Sequence, residues 1–473
     1  MTVTNWLWSA NEVLHWGSLY LDMQNYTIKF IDLFAGLGGI RIGFEEAAAE
    51  LGINTKCVFT SEIKDSALKA YQFNFGEDIP KRDITKVDAG DIPEFNILLG
   101  GFPCQAFSFA GSQKGFADTR GTLFFEIERI LRHHLKNVDG FLLENVEGLI
   151  EHQKEFKSDP YGRTLKVILT VLREKLKFNT EFILLNASDF GVAQARKRVY
   201  IVGCKKKYGS IKFAFSNIPQ KTVGECIDYG MACPQTDFTK LLLEHYNVKE
   251  LEGKFLKDKR GGASNIHSWD FEYKGKVSAK QKELLNQLFK QRRRHSWAEA
   301  IGIEWMDGMP LTTKQISTFF NDENLQSMLD DLVCKNFLVL EHPKKKIYHN
   351  ENGSSYTERV PDETLPKGYN IVTGKLSFPI SHILPSKGIA PTIVAMDMNT
   401  LGVIDNSGIR HLTLKEGLRL FGYPSWYSLE EFNKSPRTIK LGYDLLGNSV
   451  CVPVIKAVAK VLLSNLKKKY EKN

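Results

Sequence analysis

The sequence predicts an α/β fold, a mostly parallel, doubly wound sheet followed by a second, less regular domain. Three observations predict it. Between residues 29 and 205, short apolar runs alternate with helix-like segments in a βαβα rhythm. Several of those runs end in glycine-rich or polar turns, at the sheet edge where ligands bind in open α/β folds. After Lys205 the rhythm is lost.

Taken in order, the runs Phe30–Phe34, Cys57–Thr60, Ile97–Leu99, Phe141–Leu143, Phe182–Leu185 and Val199–Val202 read as buried strands. Segments near 40–50, 65–75, 122–135 and 163–176 read as helices. Ahead of them, residues 1–28 crowd Trp6, Trp8, Leu14, Trp16, Leu19 and Tyr20. Ser9 there can cap a helix with an apolar stripe of Val13, Leu14, Trp16 and Tyr20, either packed on the α/β domain or free for a partner. Residues 206–375 are richer in loops, lysine and aromatics, with a helical block around 278–300. From Thr312 to Asn336 a helix, a turn and a second helix precede the strand-like Phe337–Leu340 and the basic Lys344–Lys346. A small winged-helix unit and a helical spacer both fit that pattern. Residues 376–410 look β-rich, and Val452 to Lys469 reads as a helix with a basic tail.

Composition narrows the class. Hydrophobic content of 42% and charged content of 25% are those of an ordinary globular protein. No single apolar run approaches the length of a membrane span. The absence of Lys or Arg before Lys29 removes the basic region of a signal peptide. The 7 cysteines are scattered without a CxxC or Cys/His cluster, which argues against a metal site or a disulfide framework and for a reducing cytoplasm. A net charge of +8 has the sign that suits a polyanionic partner.

The chemistry is concentrated in five blocks. Gly100-Gly101-Phe102-Pro103-Cys104-Gln105 places one cysteine in a glycine-bounded turn after a buried strand. A lone cysteine is usually inert filler, but this one has company. Leu143-Glu144-Asn145-Val146 ends another apolar run in a carboxylate, and Gln194-Ala195-Arg196-Lys197-Arg198 follows. Asp32-Leu33-Phe34-Ala35-Gly36-Leu37-Gly38-Gly39 comes before them all, and Gly447-Asn448-Ser449-Val450 comes last. A glycine-rich turn between strand and helix lets a ligand approach the backbone. Glu62, ending the second strand, can accept from ribose hydroxyls, and Asp83 can accept from an adenine amine.

In this order the five blocks resemble those of the C5-cytosine DNA methyltransferase family, bacterial restriction–modification type, over residues 29–205 and 376–463. The resemblance implies a Rossmann-like S-adenosylmethionine-dependent sheet with a target-recognition domain. The catalytic domain would comprise 29–205 plus 438–473, and the recognition domain 206–437, with an insertion around 254–350. It implies that Phe34, Gly36, Leu37, Gly38, Gly39, Glu62, Ile63, Asp83, Ile84, Asn448 and Ser449 hold S-adenosylmethionine, with S-adenosylhomocysteine as product. Ile63 replaces an aromatic that is common after the glutamate. Pro103, Cys104, Glu144, Asn145, Arg196 and Arg198 would be catalytic, with no metal. A thiolate suits addition to C6 of cytosine, because sulfur is nucleophilic and can leave again.

Ser108, Gln113 and Lys114 stand in a polar, glycine-spaced stretch expected to close over DNA carrying a flipped cytosine. Thr392 and Ile393 match the family's element beside that nucleotide, and Arg196 is expected to contact DNA as well. Arg292, Arg293 and Arg294 lie in a basic, aromatic-interleaved stretch that can grip phosphates. The implied partners are double-stranded DNA and a cognate restriction endonuclease, with no membrane. The implied setting is a monomer in the bacterial cytoplasm, on the nucleoid. A transfer-RNA cytosine methyltransferase is the nearest rival; the long recognition segment favours DNA, since reading a duplex needs surface in the major groove. An NAD-dependent oxidoreductase would leave the cysteine, glutamate and arginine blocks without a task. A binding module that has lost catalysis would have no need of Cys104, Glu144 and Arg198 together. The target sequence is not legible, because no simple side-chain code links a recognition domain to its bases.

Overall fold

A computed structural model describes residues 27–103, 123–216, 218–258, 264–351, 354–373 and 378–470. All six expected strands are present: β1 (Thr27–Leu33), β2 (Asn54–Ser61), β3 (Ile97–Gly101), β4 (Gly140–Val146), β5 (Phe178–Asn186) and β6 (Lys197–Lys205). They form one sheet in the order β2-β1-β3-β4-β6-β5. The pairs β1–β2, β1–β3 and β3–β4 are parallel, while β6 runs antiparallel to both β4 and β5.

The central strands of the sheet are buried on both sides, so they are continuous apolar runs whose successive residues serve opposite faces. Phe30, Leu99, Leu142 and Val202 face one way, where α1 (Gly39–Glu50) contributes Phe44 and Ala47 to the same core. Ile31, Leu98 and Leu143 face the other way, against Phe124, Ile127 and Leu131 of α2 (Leu123–His133) and Leu165 and Ile168 of α3 (Arg163–Thr170).

The chain's last described helix, α4 (Val452–Tyr470), returns to the first face beside α1. Gly43 of α1 permits the close approach: a Cβ there would lie 2.7 Å from Ile455 and 2.9 Å from the amide of Lys456. One correction follows. Pro436–Lys467, two consecutive helices, is apolar enough by length and composition to cross a membrane. Its apolar window is 67% buried inside the fold, as befits core helices.

Residues beyond the sheet build two further cores. In one, Leu256, Phe271, Phe378 and Ile383 pack around a five-stranded sheet that includes β7 (Leu401–Asp405) and β8 (Gly408–His411). Buried Arg410 ties it to the helix Leu414–Leu420, bonding Asp405 at 3.0 Å and Glu416 at 2.7 Å.

The second core joins Trp269, Leu288, Ile316, Leu329 and Phe337. Its elements run helix Ala279–Gln291, helix His295–Ile301, the Leu311 bridge, helix Thr313–Ile316, helix Leu325–Cys334, strand Leu338–Glu341, hairpin Lys344–Glu351/Ser354–Pro361 and strand Gly368–Ile371. Leu311 pairs with Tyr369, and Gly368–Ile371 pairs with Leu338–Glu341. Apart from the extra helix His295–Ile301, that is the order of a winged helix. Its second turn-flanked helix is acidic, however, carrying Asp330 and Asp331 and preceded by Asp322 and Glu323.

Candidate active site

The candidate groups collect at one edge of the sheet, where the parallel strands end and antiparallel β6 begins. At the end of β1 the chain turns sharply: Phe34 has φ 58°, Gly36 φ 54° and Gly38 φ 72°. Positive φ on a phenylalanine is uncommon and is sustained only by its surroundings. Here β2 supplies them. Ser61 accepts from the Phe34 amide through Oγ at 3.4 Å and from the Ala35 amide through its carbonyl at 3.1 Å. Glu62 Oε2 accepts from the Gly36 amide at 2.8 Å, and Oε1 from the amides of Ile63 and Lys64 at 2.7 and 2.8 Å. From the C-terminal side, Tyr427 donates to the Leu37 carbonyl at 2.8 Å. Gly39 leaves room for Tyr423 and Val450, whose side chains would lie 2.6 and 2.8 Å from a Cβ there. Beneath the turn, burial pushes Asp32 up to about 7.

Asp83 begins a single helical turn, Ile84–Lys86, accepting from Thr85 N at 3.1 Å and Thr85 Oγ1 at 2.7 Å. Those bonds hold its carboxyl below the usual range. Arg82 anchors the strap by donating to the Thr60 carbonyl at 3.1 Å. The Ile84 side chain is buried in the core, so a ligand would meet its backbone amide. Ile63 is 57% exposed.

The reacting end is built by β3, β4 and β6. Gly101 of β3 pairs with Glu144 of β4, and Glu144 pairs with Tyr200 of β6. Asn145 is buried; its Nδ2 donates to the Phe102 carbonyl at 2.9 Å while its Oδ1 accepts from the Val146 amide at 2.8 Å. It therefore pins the Phe102-Pro103 turn, with exposed Pro103, to β4 and positions rather than reacts. Glu144 Oε1 lies 3.2 Å from Arg198 Nε, both side chains nearly buried. Burial raises the Glu144 carboxyl, against the opposing charges of Arg198 and Arg196. Cys104, Ser108, Gln113 and Lys114 lie outside the described residues.

Several expectations need correction. Arg196 is buried, and its guanidinium donates to the carbonyls of Ile393 at 2.8 Å and Ser449 at 2.6 Å. It is a tie between distant segments, with no face left for DNA. Gln194, also buried, donates to the Leu420 carbonyl at 3.0 Å and accepts from the Ile393 amide at 3.1 Å. Thr392 completes the clamp by donating to the Ala195 carbonyl at 2.6 Å, leaving Thr392 exposed and Ile393 buried. Ser449 is buried and bonded to Tyr423, whereas Asn448 is exposed and bonded to the Asp444 carbonyl at 2.8 Å. Tyr423, Tyr427, Gln194 and Arg82 are the supporting residues that sequence reasoning left without a role.

Two of the three arginines in the triplet are committed within the protein. Arg292 is 1% exposed, donates to Asn370 at 2.7 Å and lies 5.3 Å over the Phe289 ring. Arg293 pairs with Asp307 at 2.9 Å, and only Arg294 is fully exposed. Lys344, Lys345 and Lys346 are matched by Glu341, Asp362 and Glu304. Arg292→Met removes a buried cation whose Nε and Nη2 find no hydrogen-bond partner among the described residues, while Asn370 Oδ1 keeps its bond from the Ile371 amide. Stability is therefore expected to stay within about 1 kcal/mol of wild type or to rise. The substitution should leave the salt dependence of DNA binding unchanged. A log–log slope smaller by roughly 0.9 would put the side chain on a phosphate after all.

The residues present fit S-adenosylmethionine: a half-buried carboxylate at Glu62, an acid at Asp83, the Ile84 amide at the start of a helical turn, and Phe34 at the head of the glycine turn. Among the described residues no group of three or more His, Cys, Asp or Glu is arranged to hold a metal ion. The sheet and this edge define a Rossmann-like methyltransferase. The sequence profile described as C-5 cytosine-specific DNA methylase matches residues 28–464, and the chain belongs to that family. It is 53% identical over 439 residues to the Type II methyltransferase M.NlaIV of Neisseria lactamica, covering 93% of this chain and 99% of that one. It is 52% identical over the same length to the Type II methyltransferase M.NgoBV of Neisseria gonorrhoeae, with the same coverage. A crystal structure of S. pombe Dnmt2 methyltransferase superposes with a TM-score of 0.47 at 16% identity, over 93% of this chain and 99% of that one.

Proposed function

We propose that this protein transfers the methyl group of S-adenosylmethionine to C5 of a flipped-out cytosine at a specific site in double-stranded DNA. It would protect bacterial DNA from a cognate restriction endonuclease, acting as a monomer in the cytoplasm. The catalytic domain comprises 29–205 plus 438–473, and 206–437 recognises the target. The observation that carries this reading is the nearly buried Glu144–Arg198 pair beside the Pro103 turn, on the same edge as Glu62 and Asp83.

When bound, S-adenosylmethionine supplies an electrophilic methyl group on a sulfonium. The chain's residues do the rest. Cys104, as thiolate, adds to C6 of the cytosine, and the ring becomes nucleophilic at C5. Glu144, whose burial favours the protonated form, donates to N3 and accepts from the exocyclic amine when it carries the proton. Arg198 donates to O2 and stabilises charge developing there. Loss of the C5 proton to a base and expulsion of the Cys104 thiolate restore the aromatic ring. Gln194 and Arg196 hold the Ile393 backbone, and Ala195 holds Thr392, so the element that reads DNA is fixed relative to the one that reacts.

Glu62→Ala and Asp83→Ala should each raise the Michaelis constant for S-adenosylmethionine, by about 1–3 kcal/mol or roughly tenfold to a hundredfold. DNA affinity should hold. A loss of DNA affinity with unchanged cofactor binding would contradict the assignment. Base-resolution methylation sequencing of host DNA, with and without expression, tests the function itself. The reading expects 5-methylcytosine at one defined sequence motif; methyl groups confined to RNA, or no new 5-methylcytosine, would refute it.

A further inference from the structure

Residues 1–26 lie outside the described residues and ahead of the family match, which begins at 28. They carry three tryptophans, the carboxylates Glu12 and Asp22, and no lysine or arginine. On the α1 side of the sheet, away from the reacting edge, a groove of about 950 Å³ runs between α4 and the segment 208–221. Its floor is apolar. The rings of Phe190 and Phe215 meet at 5.2 Å, Ile218 is 42% exposed, and Ala457 and Val461 line the opposite wall. Its rim is basic. Lys456 and Lys460 are matched by Glu46 and Glu50, but Lys212 and Lys221 have no ion pair among the described residues.

Geometry brings the N-terminal segment to this groove. Thr27, where the described chain starts, pairs with Asn54, and Glu50 on the groove's rim lies only four residues before Asn54. Thr27 is therefore within about 20 Å of the groove. Six residues of extended chain, 21–26, span roughly that distance. A helix capped at Ser9 and running to Tyr20 would be about 16 Å long.

We infer that residues 6–20 of this same chain seat their aromatic face in the groove, with Glu12 or Asp22 against Lys212 or Lys221. The chemistry is complementary on both counts: apolar stripe to apolar floor, and acids without bases to unmatched lysines. The inference is independent of the enzymatic reading.

Carbodiimide coupling of the full-length protein tests it, because the reagent joins only carboxylates and amines in contact. The expected product links a peptide containing Glu12 or Asp22 to Lys212 or Lys221 within one molecule, in a mixture of light and heavy isotope-labelled protein. The Lys212→Glu/Lys221→Glu variant should lose that link and keep full methyl transfer. Coupling to lysines elsewhere, or heavy–light pairs showing a second copy in the groove, would overturn the inference. Hydrogen exchange decides the case without a chemical link. Ala457→Trp, which fills the groove, should speed exchange of the amides from 211 to 221 by about tenfold or more. Unchanged exchange would also overturn it.

Discussion

Replacing Cys104 with serine is expected to reduce methyl transfer by about 10⁴-fold or more, the scale on which loss of a catalytic nucleophile acts. A neutral hydroxyl adds poorly to C6, because it is far less acidic than a thiol and supplies almost no anion at neutral pH. The free thiol, with a pKa of roughly 8.5, already supplies some thiolate at neutral pH. Binding should survive: S-adenosylmethionine and DNA affinities should stay within about 0.5 kcal/mol of wild type. That split between binding and turnover is the signature of a group that acts only in the chemical step. A serine variant with a turnover near wild type would remove Cys104 from the mechanism.

The second large effect is at Glu144. Its carboxyl must be protonated to donate to N3. Burial raises its pKa, so the donor form is complete at low pH and is lost as pH rises through the raised value. Thiolate formation at Cys104 works in the opposite sense and improves with pH. The profile of kcat/KM should therefore be bell-shaped, with Glu144 setting the alkaline limb. Glu144→Gln cannot lose a proton in this range. It should lower the rate by about 10²–10⁴-fold and abolish the alkaline limb while leaving the acid limb in place. Arg198→Ala removes the charge that pulls Glu144 down, so the alkaline limb should move to higher pH. An alkaline limb that persists unchanged in Glu144→Gln would assign it to another group.

The parts of this site legible in the sequence are those made by neighbours in the chain. The glycine turn after β1, Glu62 ending β2 and Glu144-Asn145 ending β4 each follow a continuous apolar run, and such a run marks a strand buried on both faces. The direction of β6 was not legible from Val199–Val202, whose apolar pattern is the same either way. A signal did exist. Only ten residues separate Asn186 from Lys197, too few for the crossover that a parallel strand needs. The hairpin after Lys344 likewise had a cue in Asn352-Gly353.

Arg196 and Arg292 failed for a different reason. A basic side chain in a run of basic residues reads as solvated, and nothing nearby in sequence says otherwise. Their partners, Ser449 and Asn370, lie 253 and 78 residues away, so burial is decided by tertiary packing. The same holds for Gln194, whose two bonds reach Ile393 and Leu420.

The covalent step at Cys104 is the centre of the account, and duplex DNA carrying 5-fluorocytosine at the target position tests it most directly. Fluorine at C5 cannot leave as a proton does, so the adduct formed after methyl transfer should be trapped. Mass spectrometry of the digested complex is expected to show one DNA strand joined to the peptide containing Cys104, in a reaction that requires S-adenosylmethionine. Absence of a covalent complex with an active preparation, or attachment at any other cysteine, would contradict it.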